Sequence, residues 1–301
     1  MFLNIYAAEI KDIVNGKILK NELMSRHTTF HIGGPCDLYV EVKDADELRS
    51  LVQYVNKKRI PYIIIGAGSN ILVGDKGING IVIRLVKNFC DVKYDIKNKI
   101  VSAGGGCSLP NFIKQCLDNG LGGMEFLAGI PGTVGGAVVM NAGTKDGNMA
   151  SIIKTVTLMD EYGELKVYNK NSLKFSYRSS SISKNSIVIS TDFMLKKMDK
   201  SNIIKKLDIL KRNRAQTQPI GNKNAGCVFK NPAGDYASRL IDKAGLKGVS
   251  VGGAVVSTKH ANYINNIGNA SAGDVLKLIK KIQNKVKEKF NKKLELEIKV
   301  I

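Results

Sequence analysis

The stretch NAGCVFKNP, residues 224–232, places Cys227 after a glycine and before a short apolar step. A cysteine in such a setting is buried packing, half of a disulfide, a metal ligand or an acid that supplies a proton. The chain holds five cysteines, an odd number, and no two of them have C-x-x-C spacing. Its three histidines, His27, His31 and His260, stand at no zinc-ligand spacing from a cysteine. We therefore expect Cys227 to be neither disulfide-bonded nor metal-bound.

Two glycine-rich segments are the second candidate for chemistry: GAGSN at residues 66–70 and GIPGTVGGAVVMNAG at residues 129–143. Glycine lets a ligand approach the backbone closely and permits positive φ. Successive backbone N–H groups in such turns can form a concave site for a diphosphate. The two segments could hold a dinucleotide between them, and the alternative is a pair of tight turns in a compact fold.

Neither segment carries a complete nucleotide-binding motif. Position 71 is Ile where G-x-G-x-x-G needs Gly, and the following residues predict turns and a strand rather than a helix. The chain also lacks the G-x-x-x-x-G-K-[ST] pattern of a P-loop. A Rossmann site at this position is therefore not expected.

The charge of the chain is uneven. The net charge is +20, and residues 201–301 hold 20 Lys/Arg against 7 Asp/Glu, which is +13. A basic last third favours anionic partners such as phosphates, carboxylates or nucleic acid. Lysine-rich stretches such as KLIKKIQNKVKEKFNKK also suit the solvated face of a helix, so charge alone does not decide the partner.

The N-terminus and the hydropathy of the chain bear on its location. Residues 1–20 mix charges into apolar residues and lack the uninterrupted apolar core of a signal peptide. No apolar run approaches the ~20 residues that a membrane span needs. With 301 residues, 44% of them hydrophobic, the chain can form two or three globular domains. We expect it to be cytoplasmic.

Periodicity and capping signals predict the elements that position these residues. Four helices are predicted, over residues 44–58, 108–120, 201–213 and 272–290. The first and last begin at capping-box patterns, Asp44 with Glu47 and Ser271 with Asp274. Strands are predicted over residues 61–65, 78–85 and 99–106, three times between residues 151 and 195, and over the closing LELEIKVI. EYGE, residues 161–164, predicts a hairpin turn.

Six stretches occur in order along the chain: GAGSNILV, AGIPGTVGGAVVMNAG, FSYRSS, NAGCVFKNP, HANYI and LELEIKVI. Together they resemble the UDP-N-acetylenolpyruvoylglucosamine reductase family, flavoenzymes of bacterial cell-wall synthesis, from about Thr28 to the C-terminus. The resemblance implies an α+β fold. Residues 1–85 and 86–197 would form two subdomains of an FAD-binding unit of the vanillyl-alcohol-oxidase type. Residues 198–301 would form a C-terminal α/β domain that binds a UDP-sugar. The chain is similar to the shorter subgroup, which lacks an added tyrosine-bearing loop.

The resemblance implies a specific activity. The chain would be an NADPH- and FAD-dependent oxidoreductase that reduces UDP-N-acetylglucosamine enolpyruvate to UDP-N-acetylmuramate for peptidoglycan. Arg178 and Glu297 match the family's charge-stabilising pair, and Cys227 stands where many members carry a proton-donating serine. A thiol releases its proton far more readily than a hydroxyl. Cys227 is therefore predicted to protonate the carbon next to the substrate carboxylate, while reduced flavin supplies hydride to the neighbouring carbon.

The resemblance also assigns binding residues. Those expected to hold FAD are Gly66, Gly68, Ser69, Asn70, Gly129, Ile130, Pro131, Gly132, Gly135, Gly136, Asn141, Ala142 and Gly143. Those expected to hold the uridine diphosphate and the sugar are Tyr177, Arg214, Lys230, Asn231 and Arg239. The partners implied are the enolpyruvyl nucleotide and NADPH. No metal, nucleic acid, membrane or obligate protein partner is predicted.

Two other classes of protein stay open. Another FAD oxidase or dehydrogenase of the same fold would account for the glycine segments, although NAGCVFKNP and LELEIKVI argue for the UDP-sugar domain. An RNA-binding protein would account for the positive charge. The chain nevertheless has no recognisable RNA-binding motif, no tryptophan and only 6% aromatic residues.

Overall fold

The computed structural model describes the backbone of residues 2–95 and 97–301, and side chains from Tyr6 onward. The chain divides into two compact units, and each is discontinuous in sequence. Unit 1 consists of Met1–Asn21, Asp37–Gly66 and Asn79–Arg212, and unit 2 consists of Glu22–Cys36, Ala67–Ile78 and Asn213–Ile301. The three-part division at residues 85/86 and 197/198 stays a prediction.

The chain combines helices with a largely antiparallel set of strands, which confirms the predicted α+β class. The helices of the described residues are α1 (Phe2–Lys11), α2 (Ala45–Lys57), α3 (Leu109–Asp118), α4 (Val134–Val139), α5 (Lys200–Thr217), α6 (Ala237–Lys243) and α7 (Ala272–Phe290). The four predicted helices correspond to α2, α3, α5 and α7. Three helices were not predicted: α1 at the N-terminus, α4, which lies inside a glycine-rich segment, and α6, which is too short for a clear periodicity. No helix among the described residues is both long enough and apolar enough to cross a bilayer.

The strands are mostly short, and many pair with residues distant in sequence. In chain order they are β1 (Ile18–Leu23), β2 (Pro35–Val42), β3 (Tyr62–Ile65), β4 (Ile71–Leu72), β5 (Ile78–Leu85), β6 (Val92–Asp95), β7 (Ile100–Gly104), β8 (Leu121–Gly122), β9 (Gly143–Thr144), β10 (Gly147–Asn148), β11 (Ile153–Met159), β12 (Leu165–Asn169), β13 (Phe175–Ser176), β14 (Ser179–Ser180), β15 (Ile187–Met194), β16 (Lys196–Lys197), β17 (Ser250–Val251), β18 (Ala254–Val256), β19 (Ile264–Asn266) and β20 (Lys299–Val300).

The larger sheet of unit 1 has five antiparallel strands in the order β12-β11-β15-β7-β6. The predicted hairpin at EYGE is confirmed, because β11 pairs with β12 and Gly163 takes φ +84° in the turn between them. Helices α3 and α4 contribute to the core of this sheet, where the rings of Phe112 and Phe193 lie 4.8 Å apart. The apolar faces of sheet and helices therefore bury one another, as layered packing requires.

The second sheet of unit 1 has the order β1-β2-β5-β3, with β3 and β5 parallel. The predicted apolar stripe of α2, Leu48, Leu51, Val52 and Val55, is buried in its core. Asp44 caps α2 as predicted, accepting from the backbone N–H groups of Asp46 and Glu47. The other predicted bond of the capping box, from the Asp44 backbone N–H to Glu47, is wrong. The Glu47 carboxylate accepts from the backbone N–H groups of Lys43 and Asn15 instead.

Unit 2 is built on α7 and the antiparallel strands β17-β18-β19. The apolar stripe of α7 packs with Phe229, Leu240 and Ile264 in one core. Residues 22–36 join this core through Phe30 and Ile32, and the Asn266 amide donates to the Phe30 carbonyl at 3.1 Å. Long-range pairing thus makes the unit discontinuous in sequence.

The closing LELEIKVI is not the single strand that its alternation predicts. Only β20 is a strand, and it runs parallel to β4. Upstream, the backbone bonds instead to residues 228–230: Glu297 N–H donates to Val228 O and Lys230 N–H donates to Glu295 O, both at 2.8 Å. The segment changes partner between Glu297 and Lys299, so no one ladder extends along it.

The N-terminus of α7 shows how the segment 67–78 is attached to unit 2. The predicted capping box of Ser271 and Asp274 is confirmed. The Asp75 carboxylate accepts the two remaining first-turn N–H groups, from Ala272 at 2.7 Å and Gly273 at 3.0 Å. These donors have no partner inside a helix, so Asp75 supplies a second cap from a distant part of the chain.

Replacing Asp75 by alanine should destabilise unit 2 by about 1 kcal/mol, because both N–H groups lose an anionic acceptor. We expect a lower urea midpoint, and faster hydrogen exchange at the amides of Ala272 and Gly273. Asp242→Ala is the matched control, since Asp242 makes only an exposed ion pair with Lys247 at 2.8 Å. Equal exchange rates in the Asp75 variant and the parent protein would contradict the capping role.

Candidate active site

The glycine segment 129–143 is held against the turn that joins β7 to α3. Leu109 N–H donates to Gly132 O at 3.0 Å, Val134 N–H to Cys107 O at 2.8 Å and Gly135 N–H to Gly105 O at 2.9 Å. Gly129 takes φ +72°, a left-handed conformation that favours glycine, and it is exposed. The segment therefore enters α4 as an ordered turn whose backbone is partly open to solvent.

The first glycine segment meets the second inside unit 1. A Cβ placed on Gly66 would lie 2.4 Å from the Thr133 Oγ1, which is also the N-cap oxygen of α4. Such a separation is far below van der Waals contact, so Gly66 is needed for this approach. The structure thus brings together Gly66 and the start of α4, as expected of two segments that serve one ligand.

Asn141 connects the glycine segment to the hairpin that carries Arg178. Its side chain is buried, and its amide donates to Ser176 O at 3.0 Å while its carbonyl accepts from Ala150 N–H at 3.0 Å. The Ser180 hydroxyl adds a second link by donating to Val139 O at 2.8 Å. The amide of Asn141 is therefore engaged at both ends within unit 1.

Arg178 lies in a two-residue turn between β13 and β14. Ser176 pairs with Ser179 across the turn, and Arg178 takes φ +56°, a conformation that costs energy for any residue with a Cβ. Its guanidinium lies over the ring of the exposed Tyr177, 5.2 Å from the ring centroid. A strained backbone at a charged turn residue is typical of functional positions.

In unit 2, Cys227 lies in an irregular strand that a buried asparagine holds in place. The Asn262 side chain accepts from Phe229 N–H at 3.0 Å and donates to Phe229 O at 2.8 Å. Val228 N–H also donates to the backbone carbonyl of Asn262 at 2.8 Å. Residues 227–229 are consequently fixed along their backbone, and a Cβ on the preceding Gly226, at φ +76°, would meet no atom within 4 Å.

The Cys227 thiol faces the phenol of Tyr263. The two residues form an antiparallel bridge, which puts their side chains on the same face of the pair. Tyr263 is buried, and its hydroxyl donates to the Gln218 carbonyl oxygen at 3.0 Å. Cys227 itself is half-buried, and none of the five cysteines, all of which lie in the described part of the chain, forms a disulfide.

Glu297 lies in the segment that runs beside Cys227. The bond from Glu297 N–H to Val228 O makes the two segments neighbours, and the carboxylate is near enough to Tyr263 to raise the pKa of that phenol, after burial and Cys227. The predicted cofactor residue Asn70 donates its amide to the Glu297 carbonyl at 3.1 Å. Unit 2 therefore brings together Cys227, Glu297 and Asn70, which lie far apart in sequence.

Close packing within unit 2 explains why residue 68 is a glycine. It takes φ +63°, and an added Cβ would lie 2.0 Å from the His27 carbonyl oxygen. Because that neighbour is backbone, no side chain can be accommodated at this position. The glycine pattern of residues 66–70 is thus required for packing on both sides of its alanine.

Three of the predicted substrate residues already have partners in unit 2. Arg239 makes a bidentate ion pair with Asp235, and the guanidinium lowers the pKa of that carboxyl to about 2. Asn231 accepts from Ala237 N–H at 3.0 Å at the start of α6. The Lys230 ammonium lies 3.9 Å from the Glu295 carboxylate, a loose pair. Arg214, on the last turn of α5, lies near Tyr263.

The sequence analysis missed three residues of this site: Asn262, Tyr263 and Gln218. Two of them lie in the HANYI motif, which indicated the family but gave no role to either residue. Gln218 lies in the polar stretch before Cys227, where no periodicity marks it. Only the folded chain brings these side chains to the thiol.

Comparison with known proteins gives concordant results for both parts of the chain. A family model described as "FAD binding domain" matches residues 36–169, and one described as "UDP-N-acetylenolpyruvoylglucosamine reductase, C-terminal domain" matches residues 218–301. The first match contains Gly66 and the segment 129–143. The second contains Cys227 and Glu297.

Similar proteins cover nearly the whole chain. It is 41% identical over 298 residues to the UDP-N-acetylenolpyruvoylglucosamine reductase of Clostridium botulinum strain 657, covering 98% of this chain and 96% of the relative. It is 41% identical over 302 residues to the same-named protein of Desulforamulus reducens, covering 100% and 99%. The crystal structure of UDP-N-acetylenolpyruvylglucosamine reductase from Thermus caldophilus has a TM-score of 0.81 at 39% identity, covering 95% of this chain and 98% of that one.

The contact between Gly66 and Thr133 can be tested by a double-mutant cycle. Gly66→Ala should destabilise unit 1 by roughly 1–3 kcal/mol, because β-branched Thr133 cannot easily move its Oγ1 away. Adding Thr133→Ala should recover part of that loss. Gly136→Ala is the control, since its Cβ would make an ordinary contact at 3.5 Å. Strictly additive costs in the cycle, measured by urea unfolding, would show that the two residues do not touch.

Proposed function

The chain belongs to the UDP-N-acetylenolpyruvoylglucosamine reductase family, and we propose that it reduces UDP-N-acetylglucosamine enolpyruvate to UDP-N-acetylmuramate with FAD and NADPH. It is an FAD-dependent oxidoreductase of peptidoglycan synthesis. The observation that supports the finer assignment is the backbone bond between Val228 and Glu297. It joins the backbone segments of Cys227 and Glu297 in the domain matched to this family.

The residues of the glycine segments fit an FAD molecule. Gly66 admits no Cβ beside Thr133, Gly129 and Gly136 are exposed, and residues 129–143 carry no charged side chain. Bare, uncharged backbone of this kind allows a diphosphate to approach N–H groups closely. We assign FAD binding within unit 1 to the backbone of residues 129–136 together with Gly66. For Gly68, Ser69 and Asn70 of unit 2, FAD binding stays a prediction from the resemblance. FAD, when bound, supplies the redox chemistry by taking electrons from NADPH and passing them on as hydride.

Cys227 is assigned the proton transfer. Its thiol would give a proton to the substrate carbon next to the carboxylate, and a proton donor held in position typically contributes 10²- to 10⁴-fold to a rate. The Asn262 bonds to Phe229 fix the backbone beside it, so the thiol occupies a defined position. The cysteine that replaces the serine of many relatives is, in this reading, a more acidic donor for the same step.

We assign Arg178 and Glu297 to stabilise the charge that develops on the substrate during reduction. A guanidinium binds a carboxylate through two parallel hydrogen bonds, which suits the enolpyruvyl carboxylate. The turn that carries Arg178 is anchored through Ser176 to the buried Asn141. The Glu297 backbone is bonded to Val228, the residue after Cys227, and we assign its carboxylate to the charge near the carbon that takes the proton.

The remaining predicted residues are assigned to the uridine diphosphate and the sugar. Arg214 and Lys230 provide positive charge in unit 2, and the exposed Tyr177 provides a ring and a hydroxyl. Arg239 would have to exchange Asp235 for a phosphate, and Asn231 would have to bind through its amide nitrogen, because its oxygen caps α6.

The activity and the role of Cys227 can be measured together. Under anaerobic conditions the wild-type enzyme should oxidise NADPH beyond the one equivalent that reduces its flavin only when the enolpyruvyl nucleotide is present, giving a product two hydrogens heavier. Cys227→Ala should lose roughly 10²- to 10⁴-fold in this turnover, while NADPH still bleaches its flavin absorption. Cys227→Ser should recover part of the loss.

Cys90→Ala provides the thiol control, because Cys90 is a half-buried thiol of unit 1 whose sulfur contacts only the Gly106 carbonyl among the bonds described. It should turn over like the wild-type enzyme. Full turnover by Cys227→Ala would remove the thiol from the reaction. A wild-type protein inactive on the enolpyruvyl nucleotide would reject the function itself.

Glu297 has a natural control two residues away. Glu297→Gln should slow turnover by roughly 10²-fold, because the amide keeps the shape but cannot transfer a proton or carry the charge. Glu295→Gln should change turnover by less than about twofold, since that side chain is exposed and makes only the loose pair with Lys230. Similar rates for the two variants would exclude a catalytic role of Glu297.

A further inference from the structure

Tyr263 lies beside the Cys227 thiol and is hydrogen-bonded to Gln218. Its oxygen has one hydrogen, and that hydrogen is donated to the Gln218 carbonyl oxygen at 3.0 Å. Cys227 is the bridge partner of Tyr263, so the thiol lies on the same face of the pair as the phenol. The Tyr263 hydroxyl therefore lies beside two acceptors, Gln218 Oε1 and the Cys227 sulfur.

The Tyr263 hydroxyl can change its acceptor when the thiol loses its proton. When the thiol gives its proton to the substrate carbon, the S–H bond breaks, a C–H bond forms and the electron pair stays on sulfur. The thiolate can only accept hydrogen bonds. Rotation about the C–O bond lets the Tyr263 hydroxyl leave Gln218 and donate to the sulfur. A hydronium ion from the solvent later supplies a new proton to the thiolate and leaves as water.

We infer that Tyr263 is a positioning residue for Cys227, which donates a hydrogen bond to the thiolate that proton transfer leaves on sulfur. The inference rests on the proposed function, because it assumes that Cys227 is the proton donor. It gives a reaction role to a residue that the sequence motifs did not single out.

The groups around Tyr263 keep its phenol protonated, as this role requires. Burial raises the pKa of Tyr263, Cys227 and Glu297 raise it further, and Arg214 acts in the opposite direction. The His260 ring lies edge-on at 4.9 Å, and burial lowers the pKa of that imidazole, so it is neutral near pH 7. Tyr263 consequently still carries its hydrogen over the range in which a thiol titrates.

The test measures the pH dependence of Cys227 alkylation in the holoenzyme without substrate. Trypsin releases Cys227 alone in the peptide Asn224–Lys230, so iodoacetamide labelling at this thiol is resolved from the other four by mass. Tyr263→Phe should move the alkylation midpoint up by about one pH unit, because the thiolate loses a donor. Gln218→Leu should move it down, because the hydroxyl is then free to donate to sulfur.

Tyr94→Phe is the matched control. Tyr94 makes the same bond in unit 1, from its hydroxyl to the Gln115 carbonyl oxygen at 3.1 Å, and the loss of that bond should leave the Cys227 midpoint unchanged. Circular dichroism and retained flavin identify variants that fold. Should Tyr263→Phe fail to fold, the direction of the Gln218→Leu shift decides.

Unchanged midpoints in folded Tyr263→Phe and Gln218→Leu would overturn the inference. A shifted midpoint with a wild-type pH profile of turnover in Tyr263→Phe would also overturn it, since the contact would then not serve the reaction. An upward shift of both the midpoint and the turnover profile supports it. Failure of the proposed function remains distinguishable, because the wild-type protein would then not turn over the nucleotide whatever its thiol midpoint.

Discussion

The buried side chain of Asn262 holds the backbone of residues 227–229 in unit 2, and the arrangement of that unit's site depends on this contact. It bonds both the N–H and the carbonyl of Phe229, at 3.0 and 2.8 Å. With Phe229 fixed, Cys227 faces Tyr263 and Val228 accepts from Glu297. A buried backbone group that loses such a partner costs about 1–3 kcal/mol, so the amide stabilises the unit as well as the geometry of the site.

Unit 1 uses the same kind of residue for its own site. Asn141 is buried, takes φ +42° and bonds backbone groups on either side, at Ala150 and Ser176. It thereby couples the end of the glycine segment to the turn of Arg178. In both units an asparagine amide, which can donate and accept at once, connects two segments that no continuous ladder joins.

Local sequence signals predicted the regular elements well and the assembly of the site only through family resemblance. Ser271 with Asp274 and the apolar stripe of α2 are local patterns, and the structure confirms both. The change of partner within LELEIKVI and the second cap from Asp75 depend on pairing over roughly 70 to 230 residues, which periodicity does not encode. Tyr263 is missed for the same reason, since its role depends on Cys227 and Gln218 lying beside it.

The most direct test of the account is a visible absorption spectrum of the purified protein under anaerobic conditions, taken before NADPH, after it, and after the enolpyruvyl UDP-sugar. The account predicts flavin bands that bleach with NADPH and return with the sugar nucleotide, since cofactor, electron donor and electron acceptor are then established together. Bands that bleach and do not return would contradict the assigned substrate. A protein without flavin bands, even after FAD is added, would contradict the account as a whole.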